Sequence, residues 1–258
     1  MAVGRLALVA ALVVTGTALG AGSSGSWRPH VCAAERYAAQ RHGVIAFAVR
    51  TRTRSWGWHR TTTFPSASVV KAMLLVAYLD TPSVRGRRLR PADGALLVPM
   101  IRHSDNDAAS KVLSIVGSAR VYDVARRARM RRFTLVTGYW GLSRIDAADQ
   151  ARFFLRIDAL TAKRHRRYAL RLLRTITPVQ RWGIARVRPS GWRLYFKGGW
   201  TESPGWVDHQ VALLTRGHER VAVAILTYHG GDHAYGRRTL RGIAARLLRG
   251  LGSADNVP

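Results

Sequence analysis

Ser68 and Lys71 stand three residues apart in the stretch Phe64-Pro-Ser-Ala-Ser-Val-Val-Lys71. At helical spacing such residues share a face. A serine hydroxyl is a poor nucleophile until a neighbouring base takes its proton, and a lysine amine at this distance can do so. Pro65 prevents a helix from extending backwards, and Ser66 is placed to cap it. Ser68 then falls in the first turn, where the positive helix end favours a developing oxyanion. A single pair of this kind is a weak signal. A second group, Ser104-Asp105-Asn106, carries a hydroxyl able to relay a proton and an amide able to hold a carbonyl; equally, Asp105 or Asn106 can cap a following helix. A third, Lys197-Gly198-Gly199, ends an apolar, aromatic run. Paired glycines there admit a ligand close to the strand edge and the lysine supplies a cation, the alternative being an ordinary strand-ending turn.

The elements that must position these groups follow from periodicity and breakers. Residues 27–41 read as a helix closed by Gly43, and residues 44–50 and 55–60 as two strands of a hairpin. Helical patterning then dominates, with helices expected over residues 67–79, 91–103, 107–116, 119–130, 146–160 and 164–175. Strand character returns over residues 192–197, 206–215 and 220–228, and a basic amphipathic helix covers about residues 232–251. This order predicts an α+β fold. An antiparallel five-stranded sheet is flanked by the N- and C-terminal helices, and an all-helical lobe is inserted. The sheet lobe is expected over residues 27–63 and 176–251 and the helical lobe over residues 64–175, with a catalytic cleft between them.

Taken together and in order, Ser-x-x-Lys, Ser-Asp-Asn and Lys-Gly-Gly resemble the three signatures of class A β-lactamases and penicillin-binding proteins. The resemblance spans about residues 30–250, and the flank Met100-Ile-Arg-His-Ser-Asp-Asn-Asp-Ala-Ala agrees with it. It implies an active-site-serine hydrolase acting on a β-lactam or a peptide-like cell-wall amide. In that scheme Ser68 attacks the carbonyl and Lys71, when neutral, accepts its proton. Ser104 relays a proton to the leaving nitrogen, Asn106 binds the substrate amide and Lys197 attracts the substrate carboxylate. Gly199 lies at the substrate-binding strand edge, and the backbone N–H groups of Ser68 and Trp200 form the oxyanion hole.

The sequence departs from that pattern in three places. Class A enzymes carry a glutamate on the loop that follows the helical block, where it activates the deacylating water. The corresponding residues 137–146 contain none, and the chain holds only Glu35, Glu202 and Glu219. Asp146 is the nearest carboxylate, but Ser143-x-x-Asp146 reads as a capping box; Glu202, just past the third motif, is a substitute on the cleft side. Gly198 replaces a hydroxyl residue, and the segment from Ser68 to Ser104 is short. Slow deacylation is therefore expected.

Residues 1–22 have the layout of a secretory signal peptide: Arg5, an apolar run over residues 6–14, then Ala18-Leu-Gly20 as a cleavage site. The run is shorter than the ~20 residues needed to span a bilayer, so a secreted protein with no transmembrane span after leader removal is expected. Net charge is +28, and only four of its 42 basic residues are lysine. Such a field attracts polyanions, for an exported protein anionic cell-envelope polymers, although each basic run reads equally as a solvated face. No nucleic-acid-binding motif is present, so nucleic acid is not an expected partner. A catalytically weak envelope-polymer-binding protein on the same fold is the competing reading. Cys32 is the only cysteine, which excludes an internal disulfide, and is expected as a small buried thiol. His229 and His233 flank Asp232, but a metal site usually needs three convergent ligands, so neither metal nor cofactor is expected. Trp182, Trp192, Trp200 and Trp206 gather around the third motif, to stack on substrate or to pack the core.

Overall fold

The computed structural model describes residue 1, residues 27–202 and residues 205–252. The expected leader lies outside the described residues, Met1 apart. Helix α1 (Val31–Ala39) leads into strands β1 (Val44–Arg50), β2 (Ser55–Trp58) and the short β3 (Thr63–Pro65). Helical structure follows as α2 (Lys71–Leu79), α3 (Pro82–Arg85), α4 (Pro91–Val98) and α5 (Asn106–Arg127). Strand β4 (Arg144–Asp146) precedes α6 (Ala147–Leu155), α7 (Ile157–Leu160) and α8 (Arg166–Arg174). Strands β5 (Arg193–Thr201), β6 (Trp206–Arg216) and β7 (Glu219–His229) and helix α9 (His233–Leu247) complete the chain.

The main sheet is antiparallel with order β2-β1-β7-β6-β5, so the first hairpin joins the far edge of the C-terminal meander. Its middle strands β1, β7 and β6 are almost continuously buried, because helices cover both faces. Helices α1 and α9 pack on each other and α9 on β6 and β7, while α6 and α8 contact the sheet from within the helical stretch. Helix α1 turns Ala34 and Ala38 inward, which leaves Cys32 on its opposite side. Cys32 is accordingly exposed, not the buried thiol expected.

Local chemistry explains where the helices depart from their expected bounds. Residues 106–127 form one run rather than two, but the backbone at Gly117 leaves the helical region (φ 70°, ψ 164°), so the break expected between residues 116 and 119 survives as a kink. The helix expected over residues 91–103 widens at its end: α4 stops at Val98 and Pro99–His103 form a π-helical turn. Pro99 cannot donate the α-helical hydrogen bond, which favours a change of register there.

The capping box expected from Ser143 to Asp146 does not form. Asp146 itself caps α6, its Oδ1 accepting from the Asp149 N–H at 2.7 Å, while the Ser143 hydroxyl accepts from the Val136 N–H at 3.0 Å. Asp146 is 1% exposed. Burial raises its carboxyl to about 6, against the cap hydrogen bond and the Arg132 guanidinium 3.8 Å away. A carboxyl held above its unfolded value weakens the fold progressively as pH rises from about 4 to about 6, and by a constant amount above that. Asp146→Asn keeps an acceptor for the cap and removes the titration. It is expected to melt higher than wild type at pH 7–8, by on the order of 2 kcal/mol, with the difference vanishing near pH 4; urea melts across that range check this.

Candidate active site

The nucleophile turn is held from two sides. In the β3–β4 pair Phe64 faces Ile145 and Pro65 faces Arg144, and the Ser66 N–H donates to the Ser143 carbonyl at 2.7 Å. Ser66 does not cap the following helix as expected. Its hydroxyl points instead at the carbonyls of Trp140 and Gly141 (3.2 and 3.3 Å), tying the turn to the 137–146 loop. From the sheet, buried His209 on β6 donates Nε2–H to the Pro65 carbonyl at 2.8 Å and accepts the Thr227 N–H on Nδ1 at 3.1 Å. The Asp208 carbonyl also lies 2.9 Å from Nδ1 and would favour a proton there, but burial outweighs it and lowers His209 to about 4, so the neutral ring is favoured.

Held in this way, residues 67–70 form a 3-10 turn that runs directly into α2. Its tighter winding brings side chains three apart almost into eclipse, so Lys71 lies beneath Ser68. Ala67 adopts φ +43°, a strained value for a non-glycine residue immediately before the nucleophile. Ser68 is half-buried at the cleft floor, while Lys71 is fully buried.

Lys71 reaches across to the second motif. Its Nζ lies 2.5 Å from the Ser104 carbonyl, 2.7 Å from Asn106 Oδ1 and 3.3 Å from Ser104 Oγ. Ser104 closes the π-helical turn in the left-handed region (φ 62°, ψ 33°). That conformation costs a serine roughly 1 kcal/mol and directs both of its oxygens toward the lysine. Of the two capping alternatives, Asp105 is the cap: its Oδ1 accepts from the Ala108 N–H at 2.7 Å, which leaves the Asn106 amide to Lys71 and the cleft.

The third motif arrives on β5. Lys197, fully buried, donates to Ser104 Oγ at 3.0 Å and to its neighbour's carbonyl, Gly198 O, at 2.9 Å. Its ammonium thus stands behind Ser104 rather than open to an incoming carboxylate. Burial and then the nearby Lys71 charge hold Lys197 well below its usual range. Burial likewise lowers Lys71 to about 7, with Asp105 opposing. A β-carbon at Gly199 would come within 2.8 Å of the Ser68 nitrogen and 3.0 Å of the Val69 nitrogen, so only glycine lets the strand edge reach the nucleophile turn. At Gly198 a β-carbon would meet the Trp182 ring at 3.2 Å. The indole fills the space that a hydroxyl side chain would need, which accounts for the missing hydroxyl.

A cleft of about 370 Å³ opens over this arrangement, lined by Ser68, Asn106, Trp140 and Trp200 among others. The loop that lacks glutamate presents Trp140: Lys71 Nζ lies 4.7 Å from its ring centroid, and its Nε1–H is anchored on Ser110 Oγ at 3.1 Å. Asp146 faces Thr63 in the β3–β4 pair and lies outside the cleft lining, and so does exposed Glu202. Of the four tryptophans, Trp192 and Trp182 are buried and Trp200 stands at the rim, edge-on to Trp182 with centroids 6.1 Å apart. His229 and His233 turn to Asp208 (3.1 and 2.5 Å), and Asp232 caps α9. Among the described residues no group of three or more His, Cys, Asp or Glu side chains is arranged to hold a metal.

Ser68, Asn106 and Trp200 line the cleft, while Lys71, Ser104 and Lys197 form a linked cluster that meets it at Asn106 and Gly199 packs on the Ser68 backbone. Sequence reasoning missed Trp140, whose loop was read only for its carboxylates, and His209, a polar residue in an apolar strand. It also missed the way Trp182 dictates Gly198. The arrangement supplies a hydroxyl, an amine lowered toward neutrality, a relay hydroxyl between two lysines, and backbone N–H groups at a helix start.

Two outcomes follow. Only neutral Lys71 can accept a proton, so reactivity of Ser68 toward a neutral acylating probe is expected to rise with pH about a midpoint near 7. Lys71→Ala is expected to lower it by about 10²–10⁴, as read by labelling rates from pH 5 to 9. Gly199→Ala is expected to slow labelling by about 10²-fold or more, through displacement of an oxyanion donor, while the circular dichroism spectrum stays unchanged.

A sequence model described as Beta-lactamase enzyme family matches residues 94–251. A search of curated protein sequences found no match. Among solved structures, a beta-lactamase from Sphaerobacter thermophilus DSM 20745 is similar at 20% identity with a TM-score of 0.74, covering 88% of this chain and 98% of that one. A class A beta-lactamase from Mycobacterium abscessus has 17% identity and a TM-score of 0.72, covering 87% of this chain and 100% of that one. A class A representative from Bacteroides cellulosilyticus DSM 14838 has 14% identity and a TM-score of 0.69, covering 86% and 98% respectively. At such identities the likeness is one of fold.

Proposed function

The chain belongs to the beta-lactamase enzyme family, and from that premise we propose that it is an exported serine hydrolase whose Ser68 forms an acyl-enzyme with a β-lactam or a peptide-like cell-wall amide. The observation that carries this reading is the convergence of Lys71 and Lys197 on Ser104 beside Ser68.

Protonated Lys71 spends its three N–H donors on Ser104 O, Asn106 Oδ1 and Ser104 Oγ. On losing one proton it keeps the two short contacts and gains a lone pair for the Ser68 hydroxyl. Ser68 Oγ then adds to the acyl carbonyl, and the oxyanion is met by the N–H groups of Ser68 and Trp200. Collapse breaks the carbon–nitrogen bond. The leaving nitrogen takes a proton from the Ser104 hydroxyl, which recovers one from Lys71 or Lys197. Asn106 binds the substrate amide. Because Lys197 lies behind Ser104, a substrate carboxylate would feel its charge from across that hydroxyl, and the approaching anion would favour the charged form of the lysine.

Release to water is the slow step in this proposal. Trp140 occupies the position facing Lys71, and an indole cannot take a proton from water. The bound ester is therefore expected to persist or to pass to an amine acceptor.

Intact-mass spectrometry with a reporter penicillin tests the proposal. Wild type is expected to gain a long-lived adduct of the penicillin's mass, and Ser68→Ala none. An adduct in both proteins would exclude Ser68 as nucleophile. Rapid turnover would overturn slow release, and no adduct in either, with salt-sensitive binding to envelope polymer, would favour the binding-protein reading.

A further inference from the structure

Away from the cleft, a groove of about 690 Å³ is lined almost wholly by arginine. Arg50 and Arg52 come from the end of β1, Arg129 and Arg131 from the turn after α5. Arg152 and Arg156 belong to α6 and its end, and Arg220 to the start of β7. Residues far apart in sequence are therefore brought together, which a solvated basic face on a single helix would not require. The strand register puts the groove at the opposite end of the sheet from the catalytic cleft. Arg50 pairs with Ala222, and Arg220 pairs with Thr215, which also faces Arg193 at the start of β5. Trp200 lies at the other end of β5, roughly 20 Å of strand away.

Like charges so crowded repel, and the fold does little to neutralise them. Arg220 is held by Asp158 (2.7 and 3.1 Å) and by the Leu155 carbonyl, and Arg152 by Asp149 and the Arg129 carbonyl. Among the described residues no carboxylate pairs with Arg50, Arg52, Arg129, Arg131 or Arg156. Burial and the charges of Arg152 and Arg60 lower Arg50 from its ordinary value. Arg129 holds a left-handed backbone (φ 57°), an unusual conformation for arginine, supported by the Arg152 contact to its carbonyl. Two anchored guanidinium groups thus brace a wall on which five others lack counter-charges.

The geometry points to a binding groove for a linear chain of phosphate groups, such as a polyphosphate or a poly(phosphodiester) without bases. Guanidinium groups suit phosphate because they present paired donors that match its oxygens. Concavity favours a strand over a bilayer surface, since headgroups in a plane cannot enter a cleft. The lining has no aromatic residue, only Leu155 and Ala159 as apolar members. Single-stranded nucleic acid sites ordinarily add aromatic platforms for base stacking. None of these residues belongs to the catalytic machinery, so the groove stands or falls apart from the acyl-enzyme chemistry.

The test uses the full-length protein and fluorescently end-labelled inorganic polyphosphate, titrated between 50 and 300 mM salt. Arg50→Gln/Arg156→Gln is compared with Arg237→Gln/Arg241→Gln, an equal loss of charge on the exposed face of α9. Thermal melts confirm that each variant is folded. The groove variant is expected to bind about tenfold more weakly near 150 mM salt and to lower the logarithmic salt slope by about one to two, the control shifting less than about twofold. If binding falls equally in both variants, or in neither, the inference is overturned, because the charge then acts as a diffuse field. Parallel arms use oligo(dT) and phosphatidylglycerol vesicles. Tighter binding per phosphate to either, lost with the same two arginines, would overturn a base-free chain in favour of nucleic acid or membrane.

Discussion

Two lysine side chains, both withdrawn from water, meet at one serine hydroxyl, and much of the rest of the molecule is arranged so that they can. Lys71 comes up from the start of α2, Lys197 comes in from β5, and Ser104 Oγ lies between their amines at 3.3 and 3.0 Å. Two buried ammonium groups this close cannot both keep their charge cheaply. The strain is shared: both lysines are lowered, and the oxygens of Ser104, Asn106 and Gly198 take the remaining N–H donors. Holding Ser104 in a left-handed conformation is part of that cost, as is the π-helical turn that delivers it.

The sheet supplies the rigidity such a meeting requires. Strand β5 is fixed along its whole length by β6, and β6 by β7. His209 on β6 reaches through to the Pro65 carbonyl, so the nucleophile turn is referenced to the same strand pair that carries Lys197. Trp182 presses on Gly198 while the Gly199 backbone meets the Ser68 and Val69 nitrogens, so one face of the strand packs on an indole and the next residue on the catalytic turn. A displacement of β5 would therefore move the oxyanion donors, Lys197 and Ser104 together.

What was legible in the sequence was whatever is encoded locally. Strand β1 was read to its bounds because a run of β-branched and aromatic residues between breakers has few other fates, and the order of elements then pointed to one antiparallel sheet, though not to its strand order. Ser68, Lys71, Ser104, Asn106 and Lys197 were legible as fixed spacings within short motifs. What was not legible depends on pairs distant in sequence. Ser66 looked like a cap because serine before a helix usually is one, yet the 137–146 loop captured its hydroxyl. Ser143 and Asp146 have capping-box spacing, but Asp146 caps α6 alone while the Ser143 hydroxyl accepts from the Val136 N–H across the loop. Cys32 was assigned to the core on residue type alone, whereas the inward face of α1 is set by Ala34 and Ala38. The arginine groove could not be read either, since its members are scattered over β1, the turn after α5, α6 and β7.

The missing glutamate and the lowered lysine are best understood as one fact. A carboxylate beside Lys71 would hold the amine charged and would also be the base for water; the same anion would serve both ends of the reaction. Here the loop offers the face of Trp140, whose quadrupole attracts a cation only weakly compared with a full negative charge. Asp105 is the carboxylate that opposes the shift of Lys71, and it is committed to capping α5. With no anion in contact, burial prevails and the amine is lowered to about 7, as the proposed activation of Ser68 requires. On the same proposal, no carboxylate among the described residues of the cleft lining is placed to activate water at the ester. On the proposed mechanism, a site in which an indole and no carboxylate faces Lys71 favours forming the acyl-enzyme over hydrolysing it.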